Sequence, residues 1–195
     1  MGDGLHGIKA EISYLPGIDG GLNQTAVKYI GDPGPSYSEH ILRLMAKYNY
    51  LKDQLELDAG LGGSLNIFRA NNRKSSAADS DPLEWAIWAG GDILWKPSEH
   101  FGIGAQLHFA FNILNGTYDV NAPFPYEFED DLLTRVWPGL VIRTGTEDLH
   151  VDIGYAYGIA LNTVDIPAPR EGDPTTQAGF SSQHSVNVSV AYKFF

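Results

Sequence analysis

The feature that most constrains this chain is a two-residue alternation of apolar and polar side chains, sustained over runs longer than ordinary strands. From Leu42 the apolar set is Leu42, Leu44, Ala46, Tyr48 and Tyr50, with Arg43, Met45, Lys47 and Asn49 between. After a break at Lys52-Asp53 the pattern resumes as Leu55, Leu57, Ala59, Leu61, Gly63, Leu65 and Ile67, interleaved with Glu56, Asp58, Gly60, Gly62, Ser64 and Asn66. Neighbouring side chains of a strand point to opposite faces, so each run reads as a strand with one apolar and one polar wall.

Two further hairpins follow the same rule. Trp85, Ile87, Ala89, Gly91, Ile93 and Trp95 lead to a turn at Pro97-Ser98-Glu99, and Phe101, Ile103, Ala105, Leu107, Phe109 and Phe111 return from it. The opposite face of that hairpin carries Glu84, Trp88, Asp92, Gln106, His108 and Asn112. Val136, Leu140 and Ile142 lead to a turn over Gly145 to Asp148, and Leu149, Val151, Ile153, Tyr155, Tyr157 and Ile159 return. Single strands stand at the two ends, through Ile8, Ala10, Ile12 and Tyr14 and through Val186, Val188, Val190, Tyr192 and Phe194. The count is eight antiparallel strands in one domain spanning residues 1–195.

Connections alternate between tight turns and long segments. The long ones are Pro16 to Glu39, Arg69 to Pro82, Leu114 to Asp131 and Ala160 to Gln183, and they hold most of the Pro, Ser, Thr and Asn. Runs of about 10 to 13 residues are the length that crosses a bilayer at a tilt of about 45°, whereas soluble strands average about 5 to 6. The expected fold is therefore all-β: a closed, eight-stranded, up-and-down transmembrane barrel with four long extracellular loops and three short periplasmic turns. Pro138 falls inside the sixth strand, where it removes a ladder hydrogen bond, and a bulge with Gly139 is expected there.

Composition decides between this barrel and a soluble one. The chain has 22 Gly, 10 Tyr, 9 Phe and 4 Trp with 19% charged residues, and its mean hydropathy is only -0.18. Apolar residues hidden in alternation give such an average, and no run of about 20 apolar residues is present for a spanning helix. The polar face carries Lys9, Arg43, Lys47, Arg135, Arg143 and Lys193 against Glu11, Glu56, Asp58, Glu84, Asp92 and Asp152, six of each sign. A neutral interior is what ion pairing in a narrow lumen requires. The whole formal excess of -11 then lies in loops, turns and termini. An acidic chain of this kind does not suit nucleic acid, and the absence of cysteine removes disulfides and thiolate chemistry. Met1 to Gly7 has neither a basic nor an apolar leader segment, so the sequence reads as a mature chain.

The apolar face concentrates aromatics at its two ends. Tyr50, Trp95, Phe101, Tyr192 and Phe194 lie near the short turns, and Tyr14, Trp85, Phe111 and Tyr157 near the long loops, as two interfacial girdles would. The chain ends Ala191-Tyr192-Lys193-Phe194-Phe195. In this ending it resembles bacterial outer-membrane barrels, whose last strand commonly closes on an aromatic with another two positions before; one further residue, Phe195, follows here. In layout, Leu5 to Phe195 resembles the small porin-like eight-stranded group of OmpA, OmpX and OmpW type, and no motif assigns it to one subfamily. The resemblance implies integral placement in the Gram-negative outer membrane. It also implies contact with lipid and lipopolysaccharide, recognition of the last strand by the barrel-assembly machinery, and a monomer.

Three functions follow. The first is a non-enzymatic barrel whose lumen is filled by paired charges and whose loops are displayed for adhesion, interaction or envelope integrity. The lumen network expected for it is Lys9, Glu11, Arg43, Lys47, Glu56, Asp58, Asp92, Arg135, Arg143 and Asp152, with Lys47 placed opposite Asp58 and His108 opposite Trp88. The third loop, with Asp119, Tyr126, Glu127, Glu129, Asp130 and Asp131, is the place for surface recognition or for a divalent cation such as Ca²⁺. No other cofactor and no resident metal is expected. The second function is a narrow channel for small or apolar solutes. The third is a lipid A-modifying enzyme, an acyl hydrolase or acyltransferase, using Ser185 and His184 with Glu84 or another rim acid, disfavoured because adjacent strand residues face opposite ways.

Overall fold

A computed structural model describes residues 4–17, 24–26, 36–70, 83–118, 126–162, 164–166, 176–178 and 183–194. Eight long strands form the wall: β1 (Leu5–Leu15), β2 (Ser36–Lys52), β3 (Leu55–Ala70), β4 (Leu83–Ser98), β5 (Phe101–Tyr118), β6 (Tyr126–Gly145), β7 (Leu149–Ala160) and β8 (Gln183–Lys193). Each pairs antiparallel with its sequence neighbour, and β1 pairs with both β8 and β2, which closes the sheet. Closure leaves no free edge among these eight, the condition for burying every backbone polar group in lipid. Three-residue strands at Gln24–Ala26, Val164–Ile166 and Thr176–Ala178 add to the rim.

The alternation read from the sequence is the alternation of the wall. Leu61, Trp85 and Leu140 are 66%, 66% and 65% exposed, while Lys9, Lys47 and Arg135 are only 1–2% exposed. This barrel is apolar outside and charged inside, the inverse of a soluble one. In water such an apolar exterior would far exceed the patch a soluble monomer tolerates; in a bilayer it faces its own solvent.

The short turns differ in register from the expectation. The first is Asp53-Gln54, with Lys52 paired to Leu55, because Asp53 takes a left-handed backbone (φ 55°) that a two-residue hairpin needs and that Asp tolerates. Lys47 therefore pairs with Gly60, and Asp58 with Asn49; the expected Lys47–Asp58 pair is not formed. The displacement is an even number of residues, so every side chain keeps its face. The second turn is Glu99-His100, and a register shift between Trp95 and Ser98 sets His108 opposite Gly90, with Trp88 opposite Ala110.

Two further expectations are corrected. Pro138 produces no bulge: β6 and β7 share one register on both sides of it, and only the pairings of Trp137 and Pro138 with β7 drop out. Trp137 turns inward and lies over Gly158, where an added Cβ would sit 2.7 Å from the indole. The third long connection is largely strand, since β5 and β6 continue to a Tyr118–Tyr126 pair. With 18 and 20 residues these two strands outrun the bilayer crossing, and β6 would extend roughly 60 Å if straight.

Candidate functional site

The lumen holds the densest chemistry, and it is layered from the turns toward the long connections. At the turn end, Lys96 reaches Glu56 at 3.2 Å and Lys193 reaches Glu147 at 2.6 Å. Above them lies a network spread over six strands. Arg143 on β6 grips Asp152 through two bonds of 2.8 and 2.7 Å, and its Nη1 also donates to Glu56 at 2.7 Å and Asp58 at 2.8 Å on β3. Lys9 on β1 pairs with the same two acids, contacting Glu56 directly and Asp58 at 3.2 Å. Lys47 on β2 bridges Glu11 at 2.6 Å and Asp92 at 2.7 Å, and Arg43 adds a 3.1 Å bond to Glu11. Asn49 donates to Glu56 and Asp58 at 2.9 and 2.6 Å.

Above the network comes an apolar and aromatic layer of Leu15, Ile41, Met45, Ala86, Trp88, Ala110, Trp137 and Ala156. Arg43 stacks 4.8 Å over the Trp88 ring, joining the two layers. At the loop end, Arg135 on β6 holds Glu39 on β2 with two bonds of 2.6 and 2.7 Å. Glu39 in turn accepts from Asn66, which accepts from Ser64, whose hydroxyl accepts from the Trp88 indole. β2 and β6 stand opposite each other in the ring, so this pair crosses the full lumen.

All ten residues expected in the network are buried inside the barrel, though with partners the hairpin register did not foretell. Glu39 and Lys96 were missed. Both continue the inward phase of their strands, Glu39 with Ile41 and Arg43, Lys96 with Asp92 and Leu94, so parity was the signal that could have found them. Among the described residues the lumen then holds seven basic and six acidic groups. Glu84 lies on β4 with its side chain outside the described set.

Carboxylate oxygens of Glu11, Asp92 and Asp152 come within 4.8 Å of one another, close enough to share a cation. Each already accepts from Lys47, Arg43 or Arg143, so the barrel's own cations meet their charge. His108 and His150 stand 3.9 and 4.0 Å from Asp92 and Asp152, beyond a direct hydrogen bond.

Outside, seven of the nine expected girdle aromatics are exposed: Tyr14, Trp85, Trp95, Phe101, Phe111, Tyr192 and Phe194; Tyr50 and Tyr157 are half-buried on the same face. Histidines join them: His40 Nδ1 bonds Tyr14 at 2.8 Å, His184 Nδ1 bonds Tyr155 at 2.5 Å, and His6 bonds Tyr48. His184 is thus exterior while Ser185 is buried inside, so the wall separates the two groups weighed for hydrolysis. Of the acidic loop, Asp119 lies outside the described residues, and Tyr126, Glu127, Glu129, Asp130 and Asp131 are placed only as backbone of β6.

No protein-family model matches the chain, and no curated protein matches it in sequence. Among solved structures, it is similar to Neisserial surface protein A (NspA), with a TM-score of 0.51 and 13% identity over 97% of each chain. The chain has the fold of a small outer-membrane β-barrel. A second similar structure is the outer membrane protein OprG from Pseudomonas aeruginosa, at TM-score 0.49 and 13% identity, covering 98% of this chain and 96% of that one.

Proposed function

We propose that the chain is an integral protein of the bacterial outer membrane, a lumen-filled barrel that holds its long connections at the cell surface for adhesion, interaction or envelope integrity. The observation that carries this reading is the set of ion pairs spanning the lumen, above all Arg135–Glu39 and Arg143–Asp58. Side chains locked across the bore leave a solute no straight path, and an eight-stranded barrel has room for little besides side chains. Surface display then falls to the long connections. Asp119, Glu127, Glu129, Asp130 and Asp131 are the proposed place for a divalent cation, and Tyr192 and Phe194 for contact with the assembly machinery.

A specific observation favours one other reading, a narrow conduit for small apolar molecules. The loop-side half of the lumen is lined by Ile41, Met45, Trp88 and Trp137, a surface such a solute would wet. Single-channel conductance of the refolded protein in a planar bilayer, beside Lys47→Ala and Asp58→Ala, separates the two. Silence from all three, with folding verified by heat-modifiable migration on gels, supports the filled barrel. Steady conductance that changes with either substitution overturns it.

A further inference from the structure

Outside the lumen, two observations fall on one arc of the wall. The first is a groove of about 690 Å³ on the outward face of β1 to β4, over the small residues Ala46 and Gly63 and between Leu42, Leu44, Leu65 and Trp85. Registers place Leu42, Leu65 and Trp85 in one row at its loop-side edge, with Leu44 and Gly63 in the row below. An added Cβ at Gly63 would meet only the Ala86 carbonyl, at 3.7 Å, so the hollow exists because that residue is glycine and not because the wall has no room.

The second is His40, one row above the groove, about 7 Å further along β2 toward the long connections. Its Nδ1 lies 2.8 Å from the Tyr14 hydroxyl and accepts the Gly17 N–H at 3.3 Å. With Nδ1 engaged as the acceptor, Nε2–H is the ring's remaining donor. Among the described residues Nε2 has no partner, and the ring, stacked on Tyr14 at 18°, is fixed in direction.

An apolar trough with one oriented donor at its interfacial end suits an amphipathic molecule whose polar head is an acceptor. We infer that this arc binds a membrane lipid bearing a phosphate monoester, its acyl chain lying over Gly63 and its phosphate accepting from His40 Nε2. The inference rests on the reading of the chain as an outer-membrane barrel with its long connections outside, and makes the lipid one of the outer leaflet. A monoester is favoured over a zwitterionic diester because its oxygens are unshielded and more negative, which strengthens the hydrogen bond.

Trp85, at the groove's edge, supplies the test. In a Trp95→Phe background it is the outward-facing tryptophan, since Trp88 and Trp137 are buried in the lumen. The full chain is folded into phosphatidylcholine vesicles containing, at equal mole fraction, phosphatidic acid or phosphatidylcholine brominated on the acyl chain, and quenching is recorded. The expected result is about fivefold stronger association of the brominated phosphatidic acid, the net scale of one hydrogen bond exposed to water. His40→Ala removes the preference, and Gly63→Leu, which fills the hollow, removes it as well. Equal quenching by both lipids, or a preference that survives either substitution, overturns the site. Quenching by neither lipid from a folded protein overturns the membrane reading itself, so the two failures are distinguishable.

Discussion

Arg143→Met tests whether the lumen network holds the barrel together. The guanidinium donates to three carboxylates, and their fates differ when it is removed. Glu56 keeps Lys9, Lys96 and Asn49, and Asp58 keeps Lys9 and Asn49. Asp152 keeps only His150, at 4.0 Å, among the described residues. The substitution therefore strands one buried carboxylate, a loss of about 3–5 kcal/mol. Asp152→Asn alone is milder, about 1–2 kcal/mol, because Arg143 still has Glu56 and Asp58. In the double variant the stranded charge is gone, so its cost falls short of the sum by about 2 kcal/mol. Urea unfolding in lipid vesicles, followed by tryptophan fluorescence with Trp88 and Trp137 as lumen reporters, gives all three values. A cost below about 1 kcal/mol for Arg143→Met, or strict additivity in the double variant, would refute the reasoning.

Leu61→Arg places a charge on the exterior midway along β3, and is expected to destabilise the barrel by about 2–4 kcal/mol in vesicles, as at a bilayer midplane; a cost under about 0.5 kcal/mol, the ordinary range for a water-facing site, would contradict the apolar belt. Gly158→Val drives a side chain into the Trp137 indole, and overpacking there is expected to cost about 1–3 kcal/mol and to blue- or red-shift lumen tryptophan emission; an unchanged spectrum and midpoint would show that the indole does not lie on Gly158.

How much of this was legible in the sequence depends on which physical rule each feature obeys. Strand number and facing obey a local rule, the period of two, and they survive a slipped turn because an even slip preserves parity. Partner choice in the lumen obeys a global one. Lys47 lies on the same hairpin as Asp58, yet its nitrogen sits between Glu11 and Asp92, on strands to either side. Those distances are set by how the sheet curls shut, through tilt and stagger that no single hairpin encodes. The left-handed Asp53 was the particular cause of the register error, since Lys-Asp and Asp-Gln serve equally well as turn centres by composition. Glu39 and Lys96 lie beyond the expected strand ends for a different reason: turn-forming residues begin there, whereas β2 and β4 run on past that point with their alternation intact. The third connection follows the same rule: most of its polar residues lie in β5 and β6, which stay paired as far as Tyr118 and Tyr126.

The cross-lumen pairs join strands far apart in the chain: β6 to β2 through Arg135 and Glu39, and β6 to β3 through Arg143. Neither contact can form in a flat, open sheet, where those strands stand four and three places apart. A half-assembled sheet already holds its neighbour-strand pairs, Arg143–Asp152 and Lys47–Glu11, but has not yet made the Arg135–Glu39 pair. Closing the ring therefore completes the pairs that no single hairpin can make, so the lumen charges favour the sealed barrel over a partly built sheet.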